Sequence, residues 1–356
     1  MKLGYFLLLY LLLFFNNANS QYRQIELFPG QNGTTLINSL FDNFKPNLVL
    51  NYTDARVKMY KEIYNVNDTV YCVYSRHGLY LDPAYPNSID YLAKGGSDNG
   101  INCEHTFPQS KGSEFGNARS DMHHLFPSRA AVNEARSNYP FSEIDDNKTK
   151  RWFYQSKELN SKPSSLINEY SEGISNFFEP REDHKGNVAR AIFYFFTMYD
   201  IQADKLFFDT MRNTLCQWHL ADPVDSLEWH RSQLIGKYQE NKVNPYVLDC
   251  SLPARTYCPN LLPCQTTSSY TLASNTFITL YPNPTSDKIY ISNNTDDKIM
   301  EIEVYNRIGS KIHLTPTFEN QSNRFVYNLD DLMEGSYILT IRLQSGAKLR
   351  TKFLKL

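Results

Sequence analysis

The sequence predicts an α+β protein of two unlike units, a mixed domain followed by a small antiparallel β-sandwich. Three observations lead there. Residues 22–250 interleave short extended segments with helix-period apolar runs, as in Asn187 to Tyr199, where Val188, Ala191, Ile192, Phe195 and Phe196 recur at helical spacing. From Thr271 the pattern changes to alternation with period two, at Met300, Ile302 and Val304 and again at Tyr337, Leu339 and Ile341. Between the two lies a stretch rich in Cys, Pro, Ser and Thr. A length of 356 residues suits two units at roughly 100–200 residues each. With 41% hydrophobic and 14% aromatic residues, core material is ample and wholesale disorder is excluded.

In chain order, residues 1–20 read as a signal peptide. Lys2 supplies the positive start, Tyr5 to Phe15 is apolar, and Ala18-Asn19-Ser20 gives a small-x-small pattern before Gln21. The eleven residues of Tyr5 to Phe15 reach about 16 Å as a helix, short of a hydrocarbon core of about 30 Å. No membrane span is expected in the mature chain, which should be secreted or held at the cell surface. Export makes the six cysteines candidates for disulfides. Cys103 is expected to pair, with Cys72 as partner, while Cys250, Cys258 and Cys264 staple a linker over residues 251–270.

The mixed domain, residues 21–250, should contain a buried helix over Asn187 to Tyr199. A second helix should start at Asp222 as N-cap with Pro223 in its first position, and end at Asn244-Pro245. Its densest chemistry lies in Asn102-Cys103-Glu104-His105-Thr106-Phe107-Pro108-Gln109-Ser110, in Arg119 to Ser128, and in Ala131 to Phe141. Such a gathering of imidazole, carboxylate and amide groups suits a hydrolytic metal site. Hard oxygens hold a divalent cation while a neutral imidazole takes a proton from water. Strands are expected to end near His105 and to run over Asp121 to Leu125. Ser128 should cap a helix over Arg129 to Arg136 that carries Asn133 and Arg136 on one face. Neighbours on a strand face opposite ways, so Glu104 and His105 share a site only at a strand end, which Pro108 makes natural.

Cys-Glu-His-Thr-Phe-Pro-Gln-Ser (103–110), Ser-Asp-Met-His-His-Leu-Phe-Pro-Ser (120–128) and Val-Asn-Glu-Ala-Arg-Ser-Asn-Tyr-Pro-Phe (132–141), in this order, resemble the core motifs of the secreted and periplasmic endonuclease I family of ββα-metal nucleases. Similarity continues through Gly186 to Ala191, Asp222-Pro223-Val224 and Asn244-Pro245-Tyr246. The resemblance implies a metal-dependent endonuclease acting on DNA; with no linear basic stretch, recognition helix or RNA-stacking motif, cleavage should be indifferent to sequence, RNA stays open as a second substrate, and the chain is expected to be a monomer. It makes His105 the general base and Glu104 with Asn133 the ligands of Mg²⁺, or of Mn²⁺ or Ca²⁺. It also calls for an arginine on the phosphate, with Arg119 the first candidate and Arg136 the second. Asp121, His123 and His124 are supporting residues. Cys103 stands where many relatives carry arginine directly before the Glu-His pair.

Two rival readings use the same residues. Cys103, His105, His123 and His124 could form a Zn²⁺ site, or the scaffold could bind a polyanion without turnover. The last unit, residues 271–356, carries Leu280-Tyr281-Pro282-Asn283-Pro284, Val304 to Gly309, Met333 to Tyr337 and the terminal Lys352 to Leu356. These resemble the C-terminal sorting domain of type IX secretion cargo and imply that machinery as a partner; the alternative is a surface- or carbohydrate-binding module.

Charge sharpens the picture. Lys and Arg number 36 against 38 Asp and Glu, which excludes a polycationic nucleic-acid arm. Any positive charge at the site must come from a bound ion and one or two arginines.

Overall fold

The computed structural model describes residues 22–261, 264, 278–293, 298–306, 310–319, 324–344 and 348–356. The expected signal peptide and most of the expected linker lie outside the described residues. Up to Thr256 the chain is a helical body with three small sheets. Helices α1 (Gly33–Phe44) and α2 (Tyr52–Lys58) lead in, and α2 continues as a π-turn over Met59–Ile63. An antiparallel sheet follows, of β1 (Asn65–Val66), β2 (Thr69–Tyr71) and β3 (Gly78–Tyr80), then the short helices α3 (Ser88–Ala93) and α4 (Gly96–Asn99).

The finger comes next. Strand β4 (Ile101–His105) pairs antiparallel with β5 (Leu125–Arg129), and helix α6 (Ala130–Arg136) follows directly. The connection holds α5 (Asn117–Ser120) and a 3₁₀ turn over Met122–His124. Strand, connection, strand and helix are as the sequence predicts, but the second strand lies later. The Asp121 carboxylate accepts the His123 N–H, and this local cap folds residues 122–124 into a turn instead of a strand. Ser128 pairs with Asn102 inside the ribbon, so the residue before the helix is Arg129.

A four-stranded sheet ordered β7-β6-β8-β9 joins β6 (Arg151–Tyr154), β7 (Lys157–Leu159), β8 (Ser171–Ile174) and β9 (Phe177–Glu179). Helix α7 (Lys185–Met198) is the central post. Val188, Ile192, Phe193 and Phe195 are fully buried on it, and its polar start is buried as well. Helices α8 (Lys205–Ala221), α9 (Ser226–Gly236), α10 (Pro245–Leu248) and α11 (Leu252–Thr256) complete the body. Arg190 of α7 is fully buried and reaches the Glu228 carboxylate at 2.6 and 2.8 Å and the Asp222 carbonyl at 2.9 Å. A Cβ on Gly186 would collide with that same carbonyl and with the Arg190 guanidinium, so glycine alone fits there.

These contacts revise the expected second helix. Asp222 closes α8 and its carboxylate accepts the Gly186 N–H, so Asp225 caps α9 instead. Asn244-Pro245 opens α10, with Asn244 as N-cap, and does not merely end what precedes it. The cysteines form the bridges Cys216–Cys258 and Cys250–Cys264, which tie the end of the body to α8 and to itself. Cys72 and Cys103 are free, against expectation. Cys72 lies beside Ser128, whose partner Asn102 and neighbour Cys103 face opposite sides of the ribbon, so the two thiols are on different faces.

The last unit packs two antiparallel four-stranded sheets. One is ordered β10-β11-β15-β14, from β10 (Ile278–Tyr281), β11 (Lys288–Asn293), β14 (Thr317–Glu319) and β15 (Arg324–Asn328). The other is ordered β13-β12-β16-β17, from β12 (Ile299–Tyr305), β13 (Lys311–Ile312), β16 (Gly335–Leu343) and β17 (Lys348–Lys355). Ile289, Ile291 and Tyr327 of the first meet Val304, Leu339, Ile341 and Phe353 of the second in one core. Met300, expected inward, is exposed because the register slips between Ile299 and Glu301. No helix among the described residues is long and apolar enough to cross a membrane.

Burial also sets a pH dependence. It holds the imidazoles of His219 at about 3 and of His123 and His124 at about 4, below an ordinary value of 6.5. These groups bind protons more readily unfolded than folded, so the stability they contribute is present above pH 6.5 and is lost as pH falls toward 4. The melting temperature should therefore fall between pH 6.5 and 4.5, and His219→Gln should make that fall shallower. An unchanged slope in the variant, followed by calorimetry, would contradict this.

Candidate active site

Five helices converge on the end of β4. Phe107, just beyond the strand, stacks on Phe195 of α7 at 4.3 Å and meets Phe207 of α8 edge-on at 5.3 Å. That anchor fixes where the strand stops. Asn102 and Glu104 point toward α6, while Cys103 and His105 point the other way, toward α2 and α5.

Glu104 is buried and doubly held. Arg136 Nε lies 2.6 Å from its Oε1, and the Tyr74 hydroxyl donates to the same oxygen at 2.9 Å. Burial raises the Glu104 carboxyl, and the Arg136 guanidinium followed by the Tyr74 bond pulls it back down. Among the described residues no hydrogen bond is made to Oε2. Asn133, one turn before Arg136 on α6, donates its Nδ2 to Asn102 Oδ1 at 2.9 Å. The amide is thereby oriented, and its Oδ1 is left as the outward acceptor. Asn133 is held by Asn102 and not by Glu104 itself, yet the i, i+3 face of α6 meets the i, i+2 face of β4.

His105 is set by its backbone partner. Its Nε2 lies 3.0 Å from the Arg119 carbonyl, which only accepts, so Nε2 carries the proton and Nδ1 is the basic nitrogen. The Gln109 amide sits 3.4 Å from Nδ1, a long bond consistent with an acceptor there. Burial first, then the neighbouring His124, Arg119 and Arg56, hold the imidazole down at about 3. Its ring lies 5.4 Å from Tyr52 and 5.5 Å from His124.

The two arginine candidates separate. Arg119 is exposed, with its guanidinium 4.8 Å from the Tyr52 ring centre. Arg136 is fully buried; besides Glu104 it donates to the carbonyls of Thr106, Ser137 and Tyr139. Arg136 therefore cannot reach a phosphate and acts as the residue that positions Glu104. Asp121 is buried and accepts from Tyr194, Tyr199, Gln239 and the His123 backbone, so it braces the loop against α7. His123 and His124 donate to the carbonyls of Lys242 and Ala118. The four residues of the Zn²⁺ alternative are not brought together as a ligand set. No three of Cys103, His105, His123 and His124 bring donor atoms within 4.8 Å of one another; the group among the described residues that does is Glu143, Glu179 and Glu182. The Lys185 ammonium already sits among those three at 2.7–3.0 Å.

Sequence reasoning passed over Tyr74, Arg56 and Tyr52, which reach the site only through tertiary packing. It quoted Asn102 and Gln109 without giving them roles. The site is open. A cleft of about 750 Å³ elsewhere is lined by Tyr64, Phe126, Arg181, His184 and Arg231, and includes none of Glu104, His105 and Asn133.

Residues 32–250 match the family model described as Endonuclease I. The chain belongs to the endonuclease I family. Residues 279–355 of this endonuclease I family member match a second model, the secretion system C-terminal sorting domain. It is 34% identical over 192 residues to an extracellular ribonuclease of Bacillus amyloliquefaciens, and 31% identical over 197 residues to one of Bacillus subtilis (strain 168). Each alignment covers 47% of this chain and 60% of the relative. To an extracellular deoxyribonuclease of Aeromonas hydrophila it is 31% identical over 141 residues, covering 38% of this chain and 53% of the relative. The chain thus spans about 60% of the length of the curated ribonucleases it matches. Endonuclease I family nucleases are generally dependent on a divalent metal.

Arg136→Met leaves a buried carboxylate without its counter-charge and should cost about 3–5 kcal/mol in urea unfolding. Adding Glu104→Gln to that variant should restore part of the loss. A double variant no more stable than Arg136→Met would contradict the pairing.

Proposed function

We propose that the chain is a secreted, metal-dependent endonuclease that hydrolyses phosphodiester bonds of DNA and of RNA without sequence preference. The observation that carries this reading is the end of β4, where an anchored carboxylate and an oriented amide lie on the α6 side and an oriented imidazole follows at the strand's last residue. The donor set fits a hard divalent cation such as Mg²⁺. Glu104, restrained through Oε1, and Asn133, restrained through Nδ2, each keep an oxygen for it, and water would complete the shell. A bound Mg²⁺ supplies positive charge at the scissile phosphate and at the departing 3′ oxygen.

The chain's own residues do the rest. His105 takes a proton from the attacking water at Nδ1, while the Arg119 carbonyl keeps Nε2–H in place. Arg119 offers its guanidinium to the phosphate. Tyr74 and Arg136 hold Glu104, and Gln109 marks the position beside Nδ1 where water is activated. A site reading phosphates and not bases is indifferent to sequence. That agrees with relatives named for ribonuclease and for deoxyribonuclease activity. The sorting-domain match and the extracellular relatives support a secreted or cell-surface location reached through type IX machinery.

The test is nicking of supercoiled plasmid and of single-stranded RNA with Mg²⁺. His105→Ala should lower kcat about 10²–10⁴-fold while leaving affinity for nucleic acid in place. A wild-type protein that leaves both substrates intact under Mg²⁺, Mn²⁺ and Ca²⁺ would overturn the reading. Removing divalent ions with EDTA should abolish turnover, and adding Mg²⁺ back should restore it.

A further inference from the structure

We infer that Arg56, stacked on the Tyr52 ring that Arg119 also covers, is a second phosphate-binding station, which grips an internucleotide phosphate next to the scissile one that Arg119 meets. The inference rests on the nuclease reading for the word scissile, and on geometry for the rest. Tyr52 and Arg56 are four residues apart on α2, so they stand one turn above the other on a single helix face. The Arg56 guanidinium lies 4.2 Å from the Tyr52 ring centre, and its Nε is 3.4 Å from the Tyr52 carbonyl. Arg119 arrives at the same ring from α5, at 4.8 Å. The ring itself lies 5.4 Å from His105. Two cations thus flank one aromatic side chain immediately beside the candidate base.

Neither cation is neutralised. Among the described residues no carboxylate oxygen lies within 4.0 Å of the Arg56 or the Arg119 guanidinium. Other arginines of the domain are used differently: Arg136 faces Glu104, Arg190 faces Glu228, Arg255 faces Asp249, and Arg231 spends donors on carbonyls. Like charges held together without a counter-ion repel, and an arriving anion relieves that repulsion. Tyr52 and Cys103 of the ribbon pack against the same buried cluster, which ties the platform to the strand that carries Glu104 and His105. A planar guanidinium backed by an aromatic ring suits a phosphodiester oxygen pair. Since the chain has no basic arm, a local pair of this kind supplies affinity that net charge does not.

The experiment uses the full chain carrying His105→Ala, which binds without turnover, with Mg²⁺ present. Fluorescence anisotropy measures affinity for a labelled single-stranded oligodeoxynucleotide across a NaCl series. Arg56→Gln should weaken binding about 5–30-fold at low salt, and should reduce the slope of log affinity against log salt by about 0.7. Arg56→Lys should restore the slope but only part of the affinity. In the otherwise wild-type enzyme, Arg56→Gln should raise KM and leave kcat within about threefold. An Arg56→Gln variant with unchanged affinity and slope, at a melting temperature equal to the parent's, overturns the inference. So does a loss confined to kcat. Cleavage by the wild type with no effect of Arg56 sinks this inference alone, whereas Arg56-dependent binding with no cleavage by the wild type sinks the nuclease reading alone.

Discussion

The candidate site depends on one buried ion pair. Glu104 sits near the end of a short strand, inside the protein, where an uncompensated carboxylate would protonate or unfold its surroundings. Arg136 removes that cost, and its remaining donors close the carbonyls of Thr106, Ser137 and Tyr139. One guanidinium therefore joins the strand, the helix after the ribbon and the turn that follows. The Tyr74 hydroxyl completes the arrangement from the other side. With Oε1 committed to these two partners, the carboxylate is restrained in orientation and a single oxygen remains for chemistry. Restraint of this kind lets a small site act without reorganising.

The rest of the domain serves to hold that strand end. Phe107 is clamped by Phe195 and Phe207, Asp121 is tied to α7 through Tyr194 and Tyr199, and Arg231 caps the carbonyls of Met122 and Leu125. The site is accordingly built on packed helices and not on a loose loop. Electrostatics follow the same economy. The chain is near neutral overall, but two unpaired arginines beside an imidazole kept neutral by burial give local positive charge without a basic surface.

Much of this was legible in the sequence. The strand, ribbon and helix order around Glu104 and Asn133 followed from Pro108 and from the cap expected at Ser128, and the buried helix at Asn187 to Tyr199 lies within one residue of α7 at its C-terminal end. What failed had long-range causes. Asp222 is a good cap by type, but Gly186 and Arg190 claim its carboxylate and carbonyl, and the cap role passes to Asp225. An even count of cysteines predicted a bridge at Cys103, which the facing of a two-stranded ribbon forbids. Arg136 and Arg119 are indistinguishable as letters. Only burial shows that one supports the carboxylate while the other faces solvent. Tyr52 and Arg56 lie far upstream of the motif block, and nothing local marks them as neighbours of His105.

In the proposed site, Glu104 and Asn133 present their free oxygens to one divalent ion beside His105. Anomalous diffraction from crystals of the full chain soaked in Mn²⁺ tests it most directly. An ion bound by the Glu104 carboxylate and the Asn133 amide oxygen is expected, and it should be lost in Glu104→Gln crystals. An ion held instead by Cys103, His123 or His124, or one at the β4 end that persists when Glu104 is replaced, would contradict it.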